Sequence, residues 1–158
     1  MTEPRLLIAG SRTWSDPWLM VGALNRALEH LGGSPTLIQG TANGADSMAA
    51  QLWSDAGRPV ESHPAEWGQH SPECSPAHHG QPRCKSAGFR RNARMVELGA
   101  DLCIAFIVGA SKGASMTARM AERAGIETWR IDLAEGEQPH CFPAYGVHAT
   151  PHRGCILR

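Results

Sequence analysis

The stretch "RLLIAGSRTWSD", Arg5 to Asp16, decides the fold of this 158-residue chain. Its apolar half ends in a glycine, which is typical of a buried strand followed by a tight turn. Asp16 then precedes Pro17, the usual order of an N-cap and a first helical residue, and apolar residues recur at helical spacing up to Leu31. A strand that turns directly into a helix predicts the first βα unit of a parallel sheet.

The same alternation continues along the chain and predicts the rest of the sheet. Apolar strand patterns recur at 35–40, 58–63, 101–109 and 126–131, separated by helical patterns at 43–57, 87–100 and 113–125. This order predicts an α/β, Rossmann-like fold: an open, mainly parallel five-stranded sheet with helices on both faces. We expect one such domain at 1–132, with a Cys/His-rich loop insertion at 63–86. An irregular C-terminal tail is expected at 133–158.

Composition excludes some classes of function. Fifteen basic and fifteen acidic residues leave no net charge, so no overall field draws the chain to nucleic acid or to an acidic membrane. No apolar run has the length of a signal segment or of a membrane span. We therefore expect a cytoplasmic protein without membrane partners. In the cytoplasm thiols stay reduced, and five cysteines, an odd number, do not suggest a disulfide framework.

The loops that follow the strands carry the candidate binding residues. Three of them are rich in Gly, Ser and Thr and run into a helix start, where backbone N–H groups and the helix dipole favour a phosphate. One such loop can hold glycine for backbone reasons alone, so the prediction depends on convergence at the carboxyl edge of the sheet. No loop matches a Walker or G-x-G-x-x-G motif. The candidates are Gly10, Ser11, Arg12, Gly40, Gly44, Asp46, Gly109, Ser111, Lys112, Gly113 and Ser115.

Arg90, Arg91 and Asn92 form a further candidate group at a helix start. Adjacent arginines there oppose the helix dipole, which indicates ligand contact, and arginine suits bidentate binding of phosphate. Surface solvation with a salt bridge is the alternative. Asn92 could contact a base or bond its own backbone. Asp46 is expected to be a helix cap or a first-turn carboxylate, and the functional alternative is to accept a ribose hydroxyl.

The insertion contains a candidate zinc site in "ECSPAHHGQPRC". Two thiolates and two imidazoles fit tetrahedral zinc, and the predicted ligands are Cys74, His78, His79 and Cys84. Adjacent histidines rarely bind one metal together, so His70, His63 or a tail residue could supply the fourth ligand. A polar loop without metal and a redox pair or disulfide remain open. The tail candidates are His140, Cys141, His148, His152 and Cys155.

Four stretches together resemble a known family. "LLIAGSRTWSD", "LIQGTANGADSMAAQLW", "AGFRRNARMVELGADLCIAF" and "GASKGASMTARMAERAGI" look like the SLOG superfamily of Rossmann-like proteins, in its YspA-like, cpYpsA-related branch. The superfamily includes the DNA-processing protein DprA and the LOG phosphoribohydrolases. The resemblance covers about Arg5 to Ile131. It implies a nucleotide or ADP-ribose-like ligand above the strand ends, bound by a sensor or ligand-binding module that is a homo-oligomer.

The resemblance also implies an enzymatic alternative. In the hydrolase branch an arginine and a glutamate do the chemistry. Arg91 matches that arginine, but the glutamate position falls on Thr117, which cannot act as a carboxylate. Glu66 or Glu122 would have to replace it. A nucleoside-5'-monophosphate phosphoribohydrolase-like activity is therefore the alternative function. A DprA-like association with nucleic acid is the second, and zero net charge with few aromatic residues argues against it.

Overall fold

Five parallel strands form one sheet in the order β3-β2-β1-β4-β5. The computed structural model describes residues 3–136. The elements are β1 (Arg5–Gly10), α1 (Pro17–Leu31), β2 (Thr36–Gln39), α2 (Ala45–Asp55), β3 (Val60–Ser62), α3 (Pro76–His79), α4 (Ala87–Glu97), β4 (Leu102–Val108), α5 (Lys112–Arg123) and β5 (Glu127–Leu133). The predicted fold class is confirmed. Because the strand order reverses between β1 and β4, the carboxyl ends of these two strands border a crevice.

Alternate residues of β1 point to opposite faces of the sheet and pack in two apolar layers, one on each face. Leu6 and Ile8 pack with α1 and α2, whereas Leu7 and Ala9 pack with α4 and α5. Burying each large aliphatic side chain contributes about 1.5–3 kcal/mol. Because both faces of this apolar strand are buried, helices cover both faces of the sheet, as the sequence predicts. Cys103, the predicted core thiol, is buried in the second layer.

The turn after β1 is held in place by contacts of Trp14 and Asp16. Asp16 caps α1, since its Oδ1 accepts a hydrogen bond from Leu19 N at 2.9 Å, and Pro17 follows it. Trp14 is buried edge-on against Phe106, with ring centroids 4.9 Å apart, and donates its indole N–H to Asp16 O. The first βα connection is therefore a rigid platform beside the crevice.

The insertion and the tail depart from regular structure in different ways. Within 63–86 the chain forms one helical turn, α3, where no helix was predicted. Strand β5 extends to Leu133, two residues beyond its predicted end. The tail candidates, from His140 to Cys155, lie outside the described residues. Among residues 3–136, no helix has the length and apolar character needed to cross a membrane.

Candidate functional site

A cavity of about 1090 Å³ opens above the carboxyl ends of β1 and β4. Its floor is the β1–α1 connection, two sides come from α4 and α5, and a further wall comes from the segment after β3. Binding sites of open parallel sheets lie at this position. The predicted residues that line the cavity are Gly10, Ser11, Arg12, Asp46, Arg91, Asn92, Ser111 and Gly113.

Ser11 joins the two strand ends that form the floor. Its backbone N–H donates to Phe106 O at 2.8 Å, and its Oγ accepts from Val108 N at 2.8 Å. The side chain is buried, so its hydroxyl is used to hold β1 against β4. The next residue, Arg12, is exposed and reaches over the Trp67 ring, with Cζ 5.7 Å from the ring centroid. Arg12 therefore brings a solvent-accessible positive charge to the cavity.

Arg91 is held in place by backbone and side-chain contacts. Its Nε donates to Asn92 Oδ1 at 2.6 Å and its Nη1 to His63 O at 3.3 Å. The guanidinium lies directly on Gly40, where an added Cβ would stand only 2.4 Å from Nη1. Burial lowers the pKa of Arg91, while nearby Asp46 opposes that shift, and the group stays protonated. Gly40 thus acts through Arg91 and does not itself line the cavity.

Asp46 is a buried carboxylate at the cavity floor, 5% exposed. Its Oδ2 accepts from Gly40 N at 3.0 Å and from Ala42 N at 3.4 Å, which closes the β2–α2 loop. Burial raises the pKa of Asp46 from 3.8 to about 6, although the Arg91 charge and the two N–H donors oppose this shift. The carboxylate therefore shapes the loop and also borders the cavity.

Thr117 occupies the position where the hydrolase relatives are expected to carry glutamate. Its hydroxyl donates to Gly113 O at 2.9 Å and accepts from Asn92 Nδ2 at 2.8 Å. Asn92 in turn accepts from Arg91, so the three side chains form one chain of hydrogen bonds. Thr117 is 1% exposed. This position orients Arg91 through Asn92 and offers no acid or base.

Several predicted residues lie away from the cavity. Gly44, with φ of 81°, packs against the Ser11 and Arg12 backbone, and Gly109 packs against Glu135. Of the carboxylates proposed to replace the missing glutamate, Glu122 pairs with Arg130 at 2.8 Å on the exposed surface. The predicted residues outside the cavity lining are Gly40, Gly44, Glu66, Arg90, Gly109, Lys112, Ser115 and Glu122.

Sequence reasoning missed two groups of cavity residues. One is the wall from the insertion, which has no periodicity to predict where its side chains point. The other is a set of apolar side chains on α4 and α5, whose helical spacing does not separate a core residue from a cavity residue. Phe89 and Met116 are 45% and 39% exposed. The missed residues of these two groups include Trp67, Gln81, Pro82, Arg83, Lys85, Phe89, Met95, Met116 and Met120, and Thr13 and Glu135 were missed as well.

The insertion gathers a Cys–His cluster, defined here as His70, Cys74, His78 and Cys84. One potential ligand atom from each lies within 4.8 Å of the others. The sulfurs of Cys74 and Cys84 are 3.8 Å apart, and zinc–sulfur bonds of about 2.3 Å in a tetrahedron give about the same separation. His70 takes the place predicted for His79. The alternative fourth ligand, His63, instead bonds Glu61 at 2.6 Å.

Neighbouring groups suit this cluster to a metal. His70 Nε2 donates to Gln81 O at 2.8 Å, while its buried Nδ1 has no hydrogen-bond partner in the part of the chain that the structure describes. A metal-binding histidine characteristically donates its other nitrogen to a carbonyl in this way. Burial opposes ionisation of Cys84, but hydrogen bonds from Ser86 and Arg90 outweigh it and lower the pKa of this thiol to about 5. Thiolate is the metal-binding form.

Arg90, predicted to bind the ligand, contacts the Cys–His cluster and does not line the cavity. Its Nη1 donates to Cys84 Sγ at 3.3 Å and to Ser86 Oγ at 2.8 Å. Its Nη2 donates to Gln69 O at 2.6 Å. Arg90 thus ties α4 to the insertion and compensates thiolate charge, while the next residue, Arg91, faces the cavity.

Comparisons with known proteins agree with this architecture. The model of the YspA, cpYpsA-related SLOG family matches residues 4–70. The gene 61 protein of Mycobacterium phage D29 is 35% identical over 128 residues, which cover 77% of this chain and 91% of the phage protein. The crystal structure of DNA processing protein A (DprA) from Streptococcus pneumoniae matches 81% of this chain with a TM-score of 0.58 and 16% identity. The chain spans about half the length of DprA, and that likeness concerns the fold alone. With the predicted resemblance confirmed, the chain belongs to the YspA, cpYpsA-related SLOG family.

Proposed function

We propose that this protein binds a nucleotide or a nucleotide-derived, ADP-ribose-like molecule at the carboxyl edge of its sheet, as a sensor or ligand-binding module. The observation that carries the proposal is the convergence of Arg12, Arg91 and the buried Asp46 on one cavity. Guanidinium groups bind phosphate oxygens through charge-assisted hydrogen bonds. A carboxylate beside them accepts ribose hydroxyls. The charge pattern therefore matches a sugar phosphate.

The apolar side of the cavity supports the nucleotide part of this proposal. Phe89 and Met116 remain exposed although they line the cavity, and Met95 and Met120 lie beside them. A planar base can pack against such aromatic and thioether surfaces. Ligand sites of about 300–1,000 Å³ are usual for molecules of this size, and the cavity is comparable. A nucleotide would place its phosphate at the arginine side of the cavity and its base at the apolar side.

The contacts of Thr117 favour binding over hydrolysis. The hydroxyl that replaces the expected glutamate is buried and has two hydrogen-bond partners. One observation favours N-glycosidic hydrolysis as a second candidate, because burial raises the pKa of Asp46 to about 6 beside Arg91. A carboxyl group with a pKa near neutral pH suits general acid–base catalysis. Association with nucleic acid has less support, since the chain has no net charge.

Calorimetric titration with AMP, ADP-ribose and cyclic derivatives tests the proposal. We expect saturable binding of at least one of them, weakened about 10- to 150-fold by Arg91→Ala, as for the loss of one charged hydrogen bond. Arg94→Ala is the matched control, because Arg94 lies on the same helix but is exposed and outside the cavity. Absence of heat with all ligands would refute binding. Chromatographic detection of a released base that requires Arg91 would establish the hydrolase instead.

We also propose that the Cys–His cluster holds one structural zinc in a cytoplasmic protein whose thiols stay reduced. Four ligand atoms, the tetrahedral sulfur separation and the unpartnered His70 Nδ1 support it. Elemental analysis of the purified protein should find about one equivalent of zinc. His70→Ala should lose the metal and His79→Ala should retain it. Less than about a tenth of an equivalent in the unaltered protein contradicts the proposal.

Self-association is a third proposal, carried over from the family. Phe89 and Met116 line the cavity, but Leu98, next to α4, is an exposed hydrophobic residue outside it. A subunit contact at Leu98 would cover an apolar side chain that the ligand site does not use. Light scattering coupled to size exclusion should give at least twice the 17.0 kDa chain mass. A single species at the chain mass contradicts this.

A further inference from the structure

One wall of the cavity is built by the insertion and not by a helix or strand of the sheet domain. Trp67, Gln81, Pro82, Arg83 and Lys85 all line the cavity. None of them belongs to a regular element, because the insertion contains only the single turn of α3. The position of this wall therefore depends on contacts other than a hydrogen-bonded ladder.

Those contacts lead to the Cys–His cluster. Cys84 N donates to Trp67 O at 2.7 Å. His70 Nε2 donates to Gln81 O at 2.8 Å, and Lys85 N donates to His78 Nε2 at 2.8 Å. Three of the five wall residues are thus bonded directly to a cluster residue, and Pro82 and Arg83 precede Cys84 in the chain.

Trp67 extends this connection to the anion-binding side of the cavity. Arg83 lies over its ring at 4.1 Å from the centroid, and Arg12 approaches the same ring at 5.7 Å. The ring also rests on Gly88 in the first turn of α4, where an added Cβ would stand 3.1 Å from it. A shift of Trp67 therefore moves the surroundings of Arg12.

Metal binding by His78 is incompatible with the hydrogen bond that Lys85 N donates to its Nε2. If Nε2 binds a metal, its lone pair is no longer available to Lys85 N. If Nδ1 binds a metal, the neutral ring carries its proton on Nε2, which then cannot accept. Through either nitrogen, ligation by His78 releases the Lys85 N–H. The backbone at Lys85, which lines the cavity, must then form a different hydrogen bond.

We propose that the Cys–His cluster is an effector site: a divalent metal bound by it increases the affinity of the cavity for its nucleotide-like ligand. The inference rests on the proposed function. By fixing Cys84 and His70, the metal would hold Trp67 and Gln81 in place before the ligand arrives, and this lowers the entropic cost of binding. Coupling between two sites is reciprocal, so the ligand should tighten metal binding by the same factor, about 5- to 150-fold.

The test compares zinc-loaded and chelator-treated full-length protein. Calorimetry with ADP-ribose should give about 5- to 150-fold tighter binding with zinc, and zinc should bind correspondingly tighter with ADP-ribose present. His70→Ala should lose the zinc dependence, whereas His79→Ala, the matched control outside the cluster, should keep it. Independently of any nucleotide, zinc should shift the amide resonance of Lys85 in a ¹H–¹⁵N spectrum.

The outcomes separate this inference from the proposed function. Equal and measurable ADP-ribose affinities of the two forms overturn the coupling alone. A chain that takes up no zinc, or a Lys85 amide that zinc does not move, also overturns it. If neither AMP nor ADP-ribose binds either form while zinc moves that amide, the proposed function fails and the coupling fails with it.

Discussion

Replacing Gly40 by alanine should weaken ligand binding without unfolding the protein. The new Cβ would stand 2.4 Å from Arg91 Nη1, 2.5 Å from Cζ and 2.7 Å from Nε, whereas ordinary contacts begin at 3.4 Å. The guanidinium must therefore retreat by about 1 Å, because the Gly40 backbone is fixed by Asp46. Its hydrogen bonds to Asn92 and His63 are strained or lost. Losing one charged hydrogen bond to the ligand costs about 1.5–3 kcal/mol, or about 10- to 150-fold in affinity.

Calorimetry with ADP-ribose and thermal unfolding together check this reasoning. Because the obstructing atoms end a flexible side chain, the free energy of unfolding should fall by less than about 1.5 kcal/mol. Gly22→Ala is the control, since Gly22 lies inside α1 with no atom within 4 Å of the added Cβ. It should stabilise the protein by about 0.5–1 kcal/mol and leave affinity unchanged. Unaltered affinity of Gly40→Ala would refute the role assigned to Arg91.

Three further predictions concern stability. Gly44→Ala should cost about 2–5 kcal/mol in denaturant unfolding, because φ is 81° and the added Cβ meets backbone atoms at 2.4–2.5 Å; a loss below about 1 kcal/mol would contradict the close approach. Because the pKa of Asp46 is raised from 3.8 to about 6, the folded state binds more protons than the unfolded state between these values, and this group's contribution to the free energy of unfolding falls by about 2 kcal/mol as pH rises from 4 to 7.5. Denaturant unfolding at both pH values should show Asp46→Asn gaining on the unaltered protein by that amount at the higher pH, and a constant difference would contradict the shift. Asp16→Ala should lose the α1 cap and about 1 kcal/mol by thermal unfolding, and an unchanged Tm would argue against that cap.

The fold was predictable because its signals are local. The apolar run of β1, the Asp16 cap and the repeated alternation of strand and helix each follow from nearby residues, and parallel pairing follows from their order. The convergence of Arg12, Asp46 and Arg91 could be anticipated, since the carboxyl ends of parallel strands meet at one edge.

The finer arrangement of the site depends on directions that spacing does not specify. Arg90 and Arg91 are neighbours in sequence, but successive helical residues point about 100° apart, so one faces the cluster and the other the cavity. The choice of His70 over His79 depends on how an irregular loop folds back on itself. Trp67 lies in the same loop, and no pattern marked it as a cavity wall.

The most direct test of the central claim is a crystal structure of this protein grown with ADP-ribose. The proposed function predicts density for the ligand above the carboxyl ends of β1 and β4, with phosphate oxygens within about 3 Å of the Arg12 and Arg91 guanidinium groups. Its base should lie against Phe89 and Met116. Density for the ligand elsewhere, with the cavity filled only by water, would contradict the claim.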